Sequence, residues 1–329
     1  MTLKPEPNGK MQLLVSGTNI SISGRDIITD WGDGTTNSEL SHTYTDGNSL
    51  HNISMDSAND RIASIYFVGD YTVLAFWGIG KSKVRISTFK SQSNLEYITD
   101  DLFYNGIDGY LDDYFLDCTK LKTIPAKLFE PIPELTSAFS YYSNGTFGYC
   151  SSLKEIPAGL FDPLVNLREA GPMFNGCSSL KKIPAGLFDK LVNTDFSIGS
   201  HAVGLFSNCI KLEEFPYNLF DKNVKTYFYY VFKGTALKIG FLPLCKESNA
   251  GHVCIYQNCY NMQKLIARTA TPCTIDSETI PSAEQLKIYV PDSAIEAYKA
   301  ATNWSRFADK IVGWSELTDE ERQKYGLTI

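Results

Sequence analysis

The sequence predicts a mainly β solenoid with short helical turns, preceded by a small β-sandwich and closed by a strand–helix cap. Three observations lead to this prediction. One motif recurs along the middle of the chain, short alternating segments precede it, and an amphipathic strand–helix segment follows it. The predicted boundaries are residues 1–70 for the sandwich, 71–285 for the solenoid and 286–329 for the cap and tail.

The recurring motif follows the pattern F-x-x-C-x-x-L-x-x-I-P-x-x-L-F. Its clearest copies are residues 115–129, 147–161, 174–188 and 206–220, and weaker copies lie on both sides. The first aromatics of the seven copies are Phe89, Phe115, Phe147, Phe174, Phe206, Phe232 and Tyr256. A period of this size with Leu, Ile and Cys at fixed places is typical of a leucine-rich-repeat solenoid. Because one coil has too little apolar surface to fold alone, stacked coils must share a core.

Within each copy, the frame predicts buried columns. The leucine column is Leu121, Leu153, Leu180 and Leu212, and the cysteine column is Cys118, Cys150, Cys177 and Cys209. Free Cys packs well in cores, so the repeat favours reduced, stacked thiols over disulfides. Pro in the I-P step predicts the end of a short strand. The A-G-L-F-D that follows predicts one helical or 3₁₀ turn packed on its neighbours.

The other four cysteines allow a second interpretation. Zinc binding is an alternative for Cys245, Cys254, Cys259 and Cys273, with His252 nearby. The C-x-x-C spacing that is informative for zinc does not occur, so no metal and no cofactor is predicted.

Residues 1–70 contain short runs separated by Gly, Asn and Asp, which predict antiparallel strands. Trp31 and Asp33 lie in the motif W-G-D-G-T, which is followed by H-T-Y at 42–44. These motifs resemble the polycystic-kidney-disease (PKD) domain family, which implies an immunoglobulin-like β-sandwich with Trp31 buried between its sheets. Asp33 is expected to bond backbone amides across the turn. Calcium binding by Asp30, Asp33 and Asp46 is the alternative.

The last segment predicts a strand over 286–291 and then a helix capped by Asp292 or Ser293. The polar tail after it is expected to be a loose helix. The repeats, together with the final I-Y-V-P-D-S-A-I-E-A-Y-K-A-A-T-N-W-S, resemble the BspA-like leucine-rich-repeat proteins. This resemblance implies a bacterial, exported or surface-exposed binding protein, often an adhesin, with no shared catalytic motif.

Composition excludes several function classes. The net charge is −7 with no basic run, which argues against nucleic-acid binding. No apolar stretch reaches the length of a membrane span. Residues 75–82 come close to a phosphate-binding loop, but a strand-like segment follows where a helix is required. No hydrolase motif occurs, so no enzyme activity is predicted. The first residues do not have the pattern of a signal peptide. A surface or extracellular location therefore requires an export signal removed from the chain, and a cytoplasmic location is expected otherwise.

The candidate binding residues come from the variation in repeat length. The gaps before Phe147 and Phe206 are 18 residues, whereas those before Phe174 and Phe232 are 13 and 12. Insertions of this kind fall on one side of a solenoid, often the binding side. The predicted ligand-contacting residues in the two inserts are Tyr141, Tyr142, Asn144 and His201. Tolerated surface loops are the alternative for the inserts. For the protein, we expect a monomeric scaffold that binds a protein or glycan. The alternative is an intracellular or phage-associated assembly protein.

Overall fold

The computed structural model describes residues 11–16, 19–23, 27–37, 41–43, 45, 50–57, 63–68, 72–77, 84–86, 88–107, 111–136, 144–196, 204–224, 227–244 and 251–327. Strands predominate and the helices are few and short, so the prediction of a mainly β chain is confirmed. In the described part of the chain, no helix has the length and apolar character needed to cross a bilayer.

The N-terminal module consists of two sheets. Its strands are β1 (Met11–Ser16), β2 (Asn19–Ser23), β3 (Ile27–Asp30), β4 (Thr36–Asn37), β5 (Ser41–Thr43), β6 (Leu50–Ser57), β7 (Ala63–Val68), β8 (Thr72–Trp77) and β9 (Val84–Ile86). One sheet has the order β4-β3-β6-β1-β8 and the other β5-β2-β7-β9. Strands β8 and β9 pair into these sheets, so the strands of this module continue past the boundary predicted at residue 70.

Trp31 connects the two sheets. It follows β3 directly, its side chain is fully buried, and its ring stacks on His42 of β5 with centroids 4.9 Å apart. Asp33, in the same turn, accepts hydrogen bonds from the backbone and the hydroxyl of Thr35 at 3.1 and 2.7 Å. Its other carboxylate oxygen lies 2.6 Å from His42 Nε2. The two residues therefore hold the turn and join one sheet to the other.

The seven copies stack side by side, and we number them coils 1 to 7 by their first aromatic. These aromatic rings form one column with centroid spacings of 5.1–5.8 Å between neighbouring coils. A second column contains Phe103, Phe129, Phe161, Phe188 and Phe220. Backbone hydrogen bonds tie coil to coil, as where Phe147 N donates to the Met173 carbonyl at 2.8 Å. The core is therefore continuous along the stack, and the prediction of a repeat fold is confirmed.

Leucine and cysteine side chains fill the space beside the aromatic columns. Leu121, Leu153, Leu180 and Leu212 are fully buried, as are the free thiols Cys118, Cys150, Cys177 and Cys209. Each of these thiols donates to a phenylalanine carbonyl of the preceding coil, as from Cys177 to Phe147 at 3.1 Å. Burial raises the pKa of Cys118 and Cys177 to about 12, so the thiolate is disfavoured at neutral pH.

Cys273 lies outside this column and is disulfide-bonded, with its partner outside the described residues. The four-cysteine zinc alternative is therefore excluded, because Cys273 has no free thiolate to offer a metal. The repeat frame could not reveal this bond, since Cys273 does not occupy the frame's cysteine position.

At the I-P step, strands form only where the proline is missing. Coils 2 to 5 carry Pro125, Pro157, Pro184 and Pro216, and at this step their described residues form one isolated bridge, from Lys182 to Glu214. A second isolated bridge, from Glu169 to Asp195, lies elsewhere in coils 3 and 4. The later strands are β10 (Tyr227–Tyr229), β11 (Ile239–Phe241), β12 (Gly251–Val253), β13 (Lys264–Ile266), β14 (Thr274–Ile275), β15 (Lys287–Val290) and β16 (Ile311–Gly313). They form parallel sheets of order β10-β12-β14 and β11-β13-β15-β16. Proline lacks the N–H that a ladder requires, so the strand predicted at each I-P step is wrong for coils 2 to 5.

The segment after the proline forms turns closed by hydrogen bonds between residues three apart, as in the predicted 3₁₀ turn, but it does not continue into a helix. In coil 3, Asp162 N donates to the Gly159 carbonyl and Leu164 N to the Phe161 carbonyl, both at 3.0 Å. Gly159 and its equivalent Gly186 have φ of +72°, which lies in the left-handed region. A right-handed helix cannot continue through that conformation.

The C-terminal cap contains two short helices, α1 (Ile295–Ala300) and α2 (Asp319–Lys324). Asp292 begins a 3₁₀ turn before α1, but no side chain caps either helix start there, so the predicted cap is wrong. The Asp292 carboxylate instead accepts from Ser315 N at 3.2 Å. Asp292 therefore joins two parts of the cap instead of starting the helix.

The tail is packed, which corrects the expectation of a loose helix. Helix α2 begins with a capping box between Thr318 and Glu321. Leu317, Tyr325 and Leu327 are buried in one cluster. The sheet residues in this cluster are Phe241, Ile266 and Tyr289, which occupy the outward position of the prolines in the earlier coils. The tail therefore covers the face of β11, β13 and β15.

Candidate functional site

The predicted ligand-contacting residues fall mostly outside the described chain. Tyr141, Tyr142 and His201 are among the undescribed residues, so their role stays a prediction. Asn144 is exposed at the end of the first insert, and its backbone N–H donates to Asp113 Oδ1 at 2.8 Å. This bond places the end of the insert on the edge of the stack where each coil begins.

That edge carries a column of left-handed residues. The second residue after each first aromatic has positive φ in all seven coils, at Ser91, Asp117, Tyr149, Gly176, Asn208, Gly234 and Asn258. The reason is the backbone bonding between coils: Phe147 N and Tyr149 N both donate to coil 4, at 2.8 and 2.7 Å. Two donors on alternate residues can point at the same neighbour because the chain turns sharply there. Gly, Asn and Asp tolerate that conformation best, and they fill five of the seven places.

Tyr149 is the exception in this column. It has φ of +56°, and 42% of its surface is exposed. Its ring lies on Gly176 of the next coil, since a Cβ added to Gly176 would be 2.5 Å from Tyr149 Cδ1. A bulky residue in this region is strained, typically by about 1–2 kcal/mol. A flat, exposed aromatic face is therefore held at a position where a smaller residue would be more stable.

Polar residues lie near Tyr149 in the sequence and along the column. The backbone carbonyl of Asn144 lies close to Gly148, since a Cβ added to Gly148 would be 2.6 Å from that oxygen. Asn208 follows Gly176 along the column, is exposed, and donates from Nδ2 to Asn175 Oδ1 at 3.2 Å. We call Asn144, Tyr149, Gly176 and Asn208 the insert edge. It combines an aromatic face with amide donors and acceptors, a set that suits sugars and polypeptides.

A polar groove of about 560 Å³ lies where the inserts leave the stack. It runs across the ends of coils 2, 3 and 4, and its polar lining is Thr136, Asn166, Arg168, Glu169, Asn193 and Asp195. Two of its lining residues, Thr136 and Asp195, precede the two inserts in the sequence. Backbone hydrogen bonds join the three coils at the groove. Arg168 N donates to the Thr136 carbonyl at 2.9 Å, and Asp195 N donates to the Arg168 carbonyl at 2.7 Å.

The chemistry of the groove is that of hydrogen bonding. Arg168 provides donors, Glu169 and Asp195 provide acceptors, and Asn166 and Asn193 provide both. One cation beside two carboxylates leaves a small net charge, so the groove attracts neither a phosphate nor a polycation strongly. Exposed Val165 adds one apolar patch to the wall. The groove is therefore suited to a neutral ligand with many hydrogen-bonding groups.

The carboxylate of Asp33 in the N-terminal module is engaged in a different way. The hydroxyl hydrogen bond from Thr35, with a further contribution from His42, lowers its pKa to about 2, and partial burial opposes this shift. Both oxygens already accept protein partners. In the described ranges, no three His, Cys, Asp or Glu side chains are grouped as a metal would need.

The sequence prediction missed Tyr149, although a signal for it was present. Six of the seven residues at its frame position are Ser, Asp, Asn or Gly, and one is an aromatic. Aligning the copies at this column, and not only at Cys and Leu, would have identified both the turn and the departure from it. The groove had no comparable signal, because its residues come from three coils and share no motif.

Comparisons with known proteins find similarity to this chain among solved structures. No family model matches it, and no curated protein matches it. Among solved structures, a leucine-rich repeat protein from Bacteroides ovatus is 15% identical, with 69% of this chain and 80% of that chain covered at a TM-score of 0.27. At that TM-score the likeness does not decide the fold, which rests on the coil geometry described above.

Proposed function

We propose that this protein is a non-catalytic binding scaffold that recognises a protein or glycan through the insert edge and the adjoining polar groove. The observation that carries the proposal is Tyr149. Tyr149 has a strained backbone and an exposed ring at a position where five other coils have Gly, Asn or Asp, which suit the turn. Backbone strain of this kind clusters at ligand-binding sites. A rigid stack holds the ring in place, which reduces the entropy lost on binding.

The proposal also includes the protein's family and its location. The repeat pattern and the C-terminal cap resemble BspA-like leucine-rich-repeat proteins, and the W-G-D-G-T turn resembles PKD-like modules. Both resemblances favour a surface-exposed or secreted bacterial adhesin. The disulfide at Cys273 supports export as well, since such bonds persist mainly in oxidising compartments.

The test is to replace Tyr149 by Asn, a residue that adopts the left-handed region readily. Glycan and protein arrays probed with the unaltered chain would first identify a ligand. Y149N should then keep or raise the melting temperature, because the strain is relieved, and should bind that ligand at least about tenfold more weakly. Loss of binding together with gain of stability is a combination that a purely structural role would not give.

The matched control is Tyr104→Asn. Tyr104 is 59% exposed in coil 1 and has an ordinary backbone conformation. This variant should bind as the unaltered chain does. Equal binding by Y149N and the unaltered chain would refute the role of the insert edge, as would arrays on which no glycan or protein is bound.

A further inference from the structure

A second pocket lies at the junction of the repeats and the C-terminal tail. It has a volume of about 330 Å³, near the lower end of the range for ligand sites. Its apolar wall consists of Ile183, Phe215, Tyr217, Ile239, Phe241 and Tyr325. We call it the junction pocket. It is on the face covered by the tail and shares no lining residue with the insert edge.

Coil 5 departs from the repeat at this pocket. Coils 2, 3 and 4 have I-P-A at the step where coil 5 has Phe215, Pro216 and Tyr217. Phe215 and Tyr217 are only partly buried, although both contact the cluster under the tail. Packing against the tail therefore leaves part of each ring facing the pocket. Two large aromatic side chains stand where the other coils have a smaller, aliphatic pair.

Tyr217 is held rigidly. The guanidinium carbon of Arg268 lies 5.5 Å from the centre of its ring, and Arg268 Nη1 donates to Asp221 Oδ2 at 2.8 Å. Gly326 of the tail packs against the ring, since a Cβ there would lie 2.7 Å from Tyr217 Cε2. Arg268, which is itself ion-paired to Asp221, contacts one part of the ring, and the backbone at Gly326 contacts another. The ring therefore loses little conformational freedom when a ligand stacks on it.

The rim of the pocket carries balanced charge. It contains Lys182, Glu213, Glu214 and Lys324, of which Lys182 and Glu214 form an ion pair at 3.0 Å. Two ammonium groups beside two carboxylates disfavour a polyanion or a polycation, because either would meet like charge. A ligand with an apolar body and one charge of each sign is complementary to this rim.

We propose that the junction pocket takes an aromatic side chain of a partner polypeptide, with a basic residue on one side of it and an acidic residue on the other. Aromatic side chains that fill a pocket at the centre of an interface are common protein-binding hot spots. Aromatic rings prefer edge-to-face contact, and the pocket already contains such pairs, as between Phe241 and Tyr325 at 5.2 Å. This site goes beyond the proposed function, and its test does not depend on Tyr149.

The test uses the full chain and synthetic peptides of the form acetyl-Gly-Lys-X-Glu-Gly amide, with Phe, Tyr, Trp or Ala at X. Amide NMR titration to about millimolar peptide should show saturable binding of at least one aromatic peptide, at least about tenfold tighter than the Ala peptide. Ile239→Trp, which fills the pocket, should abolish that difference. Val192→Trp adds the same ring at a valine that is 39% exposed and lines neither the junction pocket nor the polar groove, and it should leave the difference unchanged.

A second variant tests the rim and does not risk the fold. Glu213 is exposed, so Glu213→Lys should fold normally and leave three ammonium groups against one carboxylate. A further peptide, acetyl-Gly-Glu-X-Glu-Gly amide with the same aromatic at X, should bind this variant more tightly than the Lys-and-Glu form does. Equal binding of the aromatic and Ala peptides overturns the proposal. So does the absence of saturable binding by all three aromatic peptides, or binding that neither I239W nor E213K alters.

Discussion

At the scale of single residues, the side chains that depart from the repeat carry the specific features of this protein. Tyr149 occupies a left-handed position and needs a glycine in the next coil to make room for its ring. Phe215 and Tyr217 replace an aliphatic pair at the junction pocket. Core positions of the frame are nearly identical from coil to coil, so they cannot distinguish one ligand from another.

Asp33 gives a prediction about pH. Its folded pKa of about 2 is lower than the ordinary 3.8, so its contribution to stability is full above pH 3.8 and is lost as pH falls through 2. We expect the N-terminal module to lose stability over this window. Replacing Asp33 by Asn should flatten the dependence, as followed by the fluorescence of buried Trp31.

The variant Thr35→Val tests whether the hydrogen bond from Thr35 causes the low pKa of Asp33. Thr35 donates the hydrogen bond that contributes most to the low pKa, so its removal should raise the Asp33 pKa toward 3.8. Carbon-13 NMR of the carboxyl group would follow this titration directly. A carboxyl that titrates near 3.8 in the unaltered chain contradicts the hydrogen-bonding scheme.

At the scale of elements, proline decides where strands form and where the tail docks. At the I-P step, coils 2 to 5 present proline outward and form no ladder, whereas β11, β13 and β15 lack proline there and pair in parallel. The apolar residues that replace proline would be exposed on that sheet without the tail. Leu317, Tyr325 and Leu327 bury them, and Lys264 pairs with Glu321 at the edge.

Gly326→Ala should release the tail. Gly326 has φ of +65° after the end of α2, and an added Cβ would collide with the Tyr217 ring. We expect faster proteolysis within 317–327 and faster amide exchange there. Gly186→Ala is the control, since it has φ of +72° but its Cβ would approach only Asp189 Oδ2, at 3.6 Å. Both changes should cost about 1 kcal/mol in backbone strain. Equal tail protection in the two variants would show that the Tyr217 contact does not hold the tail.

At the scale of the whole molecule, the stack is a row of coils that each touch their neighbours. The aromatic columns, the thiol-to-carbonyl bonds and the backbone bonds all link one coil to the next. Stability in such a protein is approximately a sum of coil terms and interface terms. A defect in a central coil should therefore weaken the interfaces on both sides of it.

Leu180→Ala tests this expectation in coil 4. Leu180 is fully buried, so its truncation should reduce the free energy of unfolding by about 2–5 kcal/mol. Val192→Ala in the same coil is the control, because Val192 is 39% exposed and its truncation should change stability by no more than about 0.5 kcal/mol. Chemical denaturation of both variants gives the comparison, and similar losses in the two would place Leu180 outside the core.

The sequence by itself determined the stack. A frame with fixed Phe, Cys and Leu positions places equivalent side chains in columns, because each coil must bury the same face against the next. The short alternating runs and the W-G-D-G-T turn likewise predicted the N-terminal strands. The tertiary structure alone decided the polar groove, the disulfide at Cys273 and the docking of the tail. Each of these depends on residues from different coils or from distant segments, and local sequence patterns do not encode which distant surfaces meet.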